Sequence, residues 1–174
     1  ISEASAAPPT CEGLYFLPYL TGERCPYADP DARGAWIGLT VRHDRPALIR
    51  AVLEGITFGM RDQIELMRRS GLKINQVRAG GGGARSQWWR QLQADMYQVP
   101  VVTINTQEGA AYGVALLAGV GAGIWRNVPS ACRQAIRIMA TCRPRRKFVS
   151  LYNRSYPQFS HLYQSLREDF QNIG

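Results

Sequence analysis

A run of four glycines carries the clearest indication of chemistry in this sequence. The stretch from Ala79 to Ser86 reads Ala-Gly-Gly-Gly-Gly-Ala-Arg-Ser. Consecutive glycines leave backbone N–H groups uncovered and let the main chain approach a ligand closely, and a helix start behind them adds partial positive charge. A nucleotide phosphate or ribose suits such a turn. The stretch follows neither the Walker pattern nor the dinucleotide-binding glycine pattern, so a tight turn packed under a sheet remains the alternative.

The segments that flank these glycines predict how the turn is positioned. Strands are predicted over residues 75–80 and 100–104, and helices over residues 86–98 and 109–122. The helix after the glycines has apolar residues at every fourth position, and the second strand is a β-branched run of the buried type. This alternation implies an α/β fold with parallel strands and helical crossovers. Only two or three convincing strands are found, which is few for a sheet.

Further helices are predicted outside the strands and helices that flank the glycine turn. Asp44, with Pro46 close behind it, is a typical N-cap, and apolar residues at steps of three and four predict a helix over residues 45–70. Helices are also predicted over residues 129–140 and 152–170, the last with an aromatic stripe assigned to the core. The charged residues of the long helix are interpreted as ion-paired or solvated, with a functional role as the alternative.

Composition limits the class of protein. The chain has 174 residues, of which 45% are hydrophobic and 20% charged, enough for one domain with a real core. Its four cysteines include no C-x-x-C pair and it has two histidines, which argues against a zinc site or a disulfide framework and fits a reducing cytosol. No run of about 18 apolar residues and no signal-peptide pattern is found, so we expect a soluble, cytoplasmic protein with no membrane partner.

The net charge of +8 raises the question of a nucleic-acid partner. Between Arg126 and Lys147 there are seven basic residues and no acidic one. A basic stretch can bind phosphates, but this one has no interleaved aromatic residues on which bases could stack. We therefore interpret it as a solvated face, or as charge that balances an acidic partner domain, rather than as a nucleic-acid site. Binding of an anionic partner by residues 126–147 remains the alternative.

Several motifs, in a fixed order along the chain, resemble those of one family. They are the loop 17–27 (L-P-Y-L-T-G-E-R-C-P-Y), the turn 29–34 (D-P-D-A-R-G), the segment 34–54, the glycine turn and its helix at 81–91 (G-G-G-A-R-S-Q-W-W-R-Q), and residues 108–113 (E-G-A-A-Y-G). From about residue 12 to residue 170, the chain resembles the C-terminal portion of carbohydrate kinases of the FGGY family, and most of all the xylulose kinases. One departure is Ala47, where the family pattern has a polar residue such as Glu or Asp.

This resemblance implies a partial actin-like, RNase H-like ATPase domain of the α/β class. Residues 1–11 are then a flexible lead-in, and residues 12–174 the C-terminal part of the nucleotide-binding domain, without its first strands. The family's sugar-binding domain, and the aspartate that accepts the proton of the sugar hydroxyl, are expected upstream. The resemblance therefore assigns no catalytic residue and no metal ligand to these 174 residues, which are expected to be inactive by themselves.

The resemblance also implies a cofactor and a reaction. The implied cofactor is ATP, with Mg²⁺ bridging its phosphates and the adenosine against the glycine turn. The implied nucleotide-binding residues are Gly81, Gly82, Gly83, Ala84, Arg85 and Gln87. The parent enzyme is expected to phosphorylate D-xylulose to D-xylulose 5-phosphate, a step of xylose metabolism. A kinase for another pentose, pentulose or polyol, and a non-catalytic binding module, remain alternatives, and a homodimer is left open.

Overall fold

The computed structural model describes residues 1–173, which form five strands and five α-helices. The strands are β1 (Tyr15–Pro18), β2 (Gly34–Ile37), β3 (Val77–Arg78), β4 (Val101–Ile104) and β5 (Ile138–Cys142). The α-helices are α1 (Arg45–Arg69), α2 (Gln87–Tyr97), α3 (Gly109–Gly121), α4 (Val128–Ala135) and α5 (Arg146–Ile173). Strands β1 and β2 form an antiparallel pair, separate from the sheet of the other three. Within residues 1–173, none of the helices combines the length and the apolar character that a membrane crossing requires.

Helix α1 begins and ends where the sequence predicts. The Asp44 carboxylate accepts a hydrogen bond from the backbone N–H of Ala47 at 3.0 Å, and Pro46 lies in the first turn. The chain leaves the helix through Gly71, whose φ of +88° is a conformation that favours glycine. The apolar face of α1 packs against β1. These signals predicted the helix correctly because caps act within a single turn.

The larger sheet has the strand order β3–β4–β5. Strands β3 and β4 are parallel and α2 crosses between them, which confirms the predicted α/β unit. Strand β5 is antiparallel to β4, and here the sequence prediction was wrong, since the helix expected over residues 129–140 ends at Ala135. The run Ile138–Cys142 pairs with β4 instead, because hydrogen bonding to a neighbouring buried strand outweighs a local helical pattern.

Helix α5 starts earlier than predicted and packs along the core. Its buried aromatic residues are Tyr152, Phe159, Tyr163 and Phe170. The burial of Phe159, Tyr163 and Phe170 confirms that these members of the aromatic stripe belong to the core. Phe159 stacks on Phe58 of α1, with ring centroids 5.1 Å apart. One hydrophobic cluster thus joins α1, α2 and α5 with both sheets, and it holds α2 and its preceding turn in place.

The first residues of the chain, expected as a lead-in, form short 3₁₀ helices against α1. These helices span Ser2–Ala6 and Pro9–Gly13. The side chain of Ala4 is fully buried, and the Ala7 carbonyl accepts a hydrogen bond from Arg50 Nη1 at 2.6 Å. This segment therefore contributes to the packing around the first half of α1.

Candidate functional site

The glycine turn joins β3 to α2, as the strand-turn-helix pattern predicts. Gly81 has a φ of +73°, which residues with a Cβ rarely adopt. Gly82–Arg85 then forms a single 3₁₀ turn. Ser86 caps α2, because its Oγ accepts a hydrogen bond from the Trp89 N–H at 3.2 Å. The turn therefore lies between the end of a strand and the positive end of a helix.

A cleft of about 190 Å³ opens beside this turn. It lies at the carboxyl ends of the parallel strands β3 and β4, the place where open α/β sheets bind their ligands. Its lining residues are Ala79, Gly80, Gly81, Ala84, Arg85, Arg90, Thr103, Ile104, Thr106 and Gln107. This lining includes two arginines and no acidic side chain, so the part of the cleft that the structure describes is electropositive.

The six site residues predicted from the sequence lie in the glycine turn and at the start of α2, and only three of them line the cleft. Gly81, Ala84 and Arg85 line the cleft. Gly82 and Gly83 belong to the same turn without bordering the cleft. Gln87 is the first residue of α2, and its backbone carbonyl faces the thiol of Cys142, with Sγ 4.0 Å away. Gln87 therefore lies next to the turn rather than in the cleft.

Trp89 supports the glycine turn from behind. A Cβ built on Gly83 would lie 2.5 Å from the Trp89 ring, so only glycine lets the turn approach the indole this closely. The Trp89 indole N–H donates a hydrogen bond to Thr57 Oγ1 at 3.0 Å, and Thr57 is fully buried on α1. The position of the turn is therefore linked through Trp89 to the core helix α1.

Sequence reasoning missed four polar residues at the cleft, Arg90, Thr103, Thr106 and Gln107. Arg85 Nη2 donates a hydrogen bond to Gln107 Oε1 at 3.0 Å, which joins the glycine turn to the loop after β4. Arg90 Nη1 donates to the carbonyl oxygen of Ala84. The Trp-Arg-Gln motif marked the position of Arg90, but only the folded arrangement shows that its side chain reaches the cleft.

Two buried carboxylates, Glu54 and Asp29, are held by structural partners and do not border the cleft. Glu54 Oε1 pairs with Arg50 Nε at 2.8 Å and accepts a hydrogen bond from the Tyr152 hydroxyl at 2.7 Å. Burial raises the pKa of Glu54, against the opposite influence of Arg50. Asp29 accepts a hydrogen bond from the Tyr163 hydroxyl at 2.6 Å, which lowers the pKa of Asp29. The ion pair confirms the structural interpretation of Glu54.

The basic residues between Arg126 and Lys147 are spread over α4, the segment around β5 and the start of α5. Arg145 forms an ion pair with the buried Asp95 of α2, with Nη2 2.6 Å from Oδ2. Its guanidinium also lies 4.0 Å from the centre of the Phe148 ring. At least this member of the basic stretch anchors the start of α5 to α2.

The fold matches known sugar kinases. The family model "FGGY family of carbohydrate kinases, C-terminal domain" matches residues 2–122. Xylulose kinase of Staphylococcus epidermidis is 36% identical over 156 residues, which cover 90% of this chain and 32% of that protein. Ligand-bound xylulose kinase from Lactobacillus acidophilus superposes with a TM-score of 0.93 at 31% identity, covering 99% of this chain and 35% of that one. Gluconate kinase from the same organism superposes with a TM-score of 0.91 at 31% identity and the same coverage.

This similarity defines the class of protein as the C-terminal, actin-like ATPase domain of sugar kinases. The chain belongs to the FGGY family of carbohydrate kinases. The family and the fold class predicted from the sequence motifs are therefore confirmed. The chain spans about a third of the length of the curated relatives it matches, 32% for the S. epidermidis protein.

Proposed function

We propose that this chain forms the nucleotide-binding side of an ATP-dependent sugar kinase. The observation that carries the proposal is the electropositive cleft beside the glycine turn, where two parallel strands end. A Cβ built at Gly80, Gly81 or Gly82 meets no protein atom within 4 Å, so the backbone there is open to a ligand. Arg85 and Arg90 both line the cleft. Open N–H groups and two guanidinium groups fit the phosphates and ribose of a nucleotide.

The predicted site residues have distinct roles in this proposal. The N–H groups of residues 81–83 would bind oxygens of the nucleotide, strengthened by the positive end of α2, whereas the Ala84 N–H donates to the Gly81 carbonyl at 3.2 Å. Arg85 would add a flexible positive charge at the edge of the cleft. Gln87, which lies beside the turn, would be a polar neighbour only of a part of the adenine that extends beyond the cleft. Bound MgATP supplies the phosphoryl group, and we assign no side chain of this chain to the ion. The catalytic aspartate is proposed to lie outside these 174 residues.

D-xylulose is the proposed acceptor, giving D-xylulose 5-phosphate. The support is the similarity to xylulose kinases of S. epidermidis and L. acidophilus, which covers 90% and 99% of this chain. The similar gluconate kinase makes a sugar acid the second candidate. A polyol remains a further candidate, since specificity in this proposal resides in a sugar-binding domain outside the chain.

Gly80→Ala tests the nucleotide proposal, because we expect it to weaken nucleotide binding without lowering stability. Gly80 lines the cleft, and the added Cβ meets no protein atom within 4 Å, so the free energy of unfolding should not change. The proposal places the nucleotide on this open side, and we expect the Kd for ATP, measured by isothermal titration calorimetry, to rise about tenfold or more. Gly121→Ala, equally unobstructed but at the end of α3, is the matched control. An unchanged Kd in Gly80→Ala would contradict the proposed site.

A coupled ADP-release assay tests the reaction. With MgATP, we expect the full-length natural protein to turn over D-xylulose with a higher kcat/KM than D-gluconate or glycerol. The 174-residue polypeptide by itself is expected to show no turnover above background with any of them, because the proposal places the general base elsewhere. Turnover by the isolated polypeptide would disprove the placement of the general base outside these residues. A higher kcat/KM for D-gluconate would make gluconate, rather than D-xylulose, the acceptor.

A further inference from the structure

Arg90 lies in the first turn of α2, and its side chain reaches back to the glycine turn. Its backbone N–H donates a hydrogen bond to the carbonyl of the capping residue Ser86 at 3.0 Å. Side chains on a helix tilt towards its N-terminus, so a long residue at this position can contact the segment that precedes the helix. Nη1 of Arg90 donates to the carbonyl oxygen of Ala84. Arg90 therefore connects the helix to the turn that leads into it.

The same side chain also borders the cleft. Its Nε is shielded from solvent and has no partner among the described residues. The other arginine of the cleft, Arg85, is exposed, and its hydrogen bond to Gln107 lies at the surface. Arg90 is partly buried and is held by α2 at one end and by Ala84 at the other. It is therefore the arginine whose charge has a fixed position beside the turn.

We propose that Arg90 is a positioning residue for the nucleotide. By holding the Ala84 carbonyl, it keeps the N–H groups of the glycine turn available to the cleft, and it places a positive charge at the cleft wall. The guanidinium suits this role because its donors lie in one rigid plane and its charge is permanent. The inference rests on the proposed nucleotide function, since the turn is positioned for that ligand.

Steady-state kinetics of the full-length natural protein test this inference. For Arg90→Met we expect the KM for ATP to rise about tenfold or more, the effect of losing hydrogen bonds from a charged donor. The KM for the sugar should stay within about twofold, because the residue acts only on the nucleotide side. Arg90→Lys should give an intermediate KM for ATP, since lysine keeps the charge but not the planar fork. Arg126→Met, which removes an exposed arginine outside the cleft, is the matched control.

Urea unfolding of the same variants separates positioning from a purely structural role. A folded Arg90→Met protein with an unchanged KM for ATP overturns the inference. A parallel rise of both KM values with a lower unfolding midpoint also overturns it. If Arg90→Met does not fold, Arg90→Lys decides, and a KM for ATP equal to that of the wild type overturns the inference. A wild-type protein that neither binds nor uses ATP overturns the proposed function itself, so the two failures are distinguishable.

Discussion

Glu54→Ala is expected to lower the free energy of unfolding by about 3–5 kcal/mol. Glu54 is 3% exposed and its partner Arg50 is 6% exposed. Removing the carboxylate leaves an uncompensated guanidinium in the core, where solvent cannot replace the lost partner. The Tyr152 hydroxyl and the Thr10 N–H also lose their shared acceptor, Glu54 Oε1. Urea unfolding followed by tryptophan fluorescence measures the difference.

The double substitution Arg50→Met with Glu54→Leu is the control for this prediction. It removes both charges and fills most of the same volume, so no unpaired ion is left in the core. We expect it to cost less than Glu54→Ala, although the Tyr152 hydroxyl still loses its partners. A double variant at least as unstable as Glu54→Ala would show that the hydrogen bonds, rather than the unpaired charge, dominate.

Gly55→Ala is expected to destabilise the protein by about 3 kcal/mol. A Cβ at this position would lie 2.0 Å from the carbonyl oxygen of Phe16 and 3.0 Å from its carbonyl carbon. Both obstructing atoms belong to the backbone of β1, so rotation of a side chain cannot relieve the clash. Helix α1 and strand β1 would have to move apart, which opens the core between them. The same urea unfolding experiment measures the loss.

Gly59→Ala is the matched control on the same helix. The nearest atom to its added Cβ is Pro18 Cγ, at the ordinary contact distance of 3.6 Å. Because alanine is about 0.5–1 kcal/mol better than glycine inside a helix, we expect a small gain in stability. If Gly55→Ala and Gly59→Ala change the free energy of unfolding equally, the clash with Phe16 does not determine the effect at position 55.

The helices and the turn around the site could be predicted because the residues that specify them are close together in the sequence. Asp44 and Pro46 start α1, and Ser86 caps α2 directly after the glycines. Each capping signal acts within one turn of the backbone, because the capping side chain and the N–H group that it binds are close in sequence in any fold. The glycine turn was therefore placed correctly between a strand and a helix.

The errors and omissions involve residues that are distant in sequence or depend on side-chain direction. The segment Ile138–Cys142 became a strand because β4 lies beside it, and nothing in its own residues specifies that neighbour. The same reason explains why the partner of Glu54 in α5, Tyr152, could not be named in advance.

By itself, the sequence determined the family, the α/β class and the position of the glycine turn, because residue type and order along the chain are enough to specify them. Only the tertiary structure decided that Trp89 lies against Gly83 and that Arg90 both holds Ala84 and borders the cleft. Those facts depend on how α2 packs against α1 and the sheet, since packing sets the direction in which each side chain points. The glycines make a nucleotide site possible, and the residues packed behind them determine its shape.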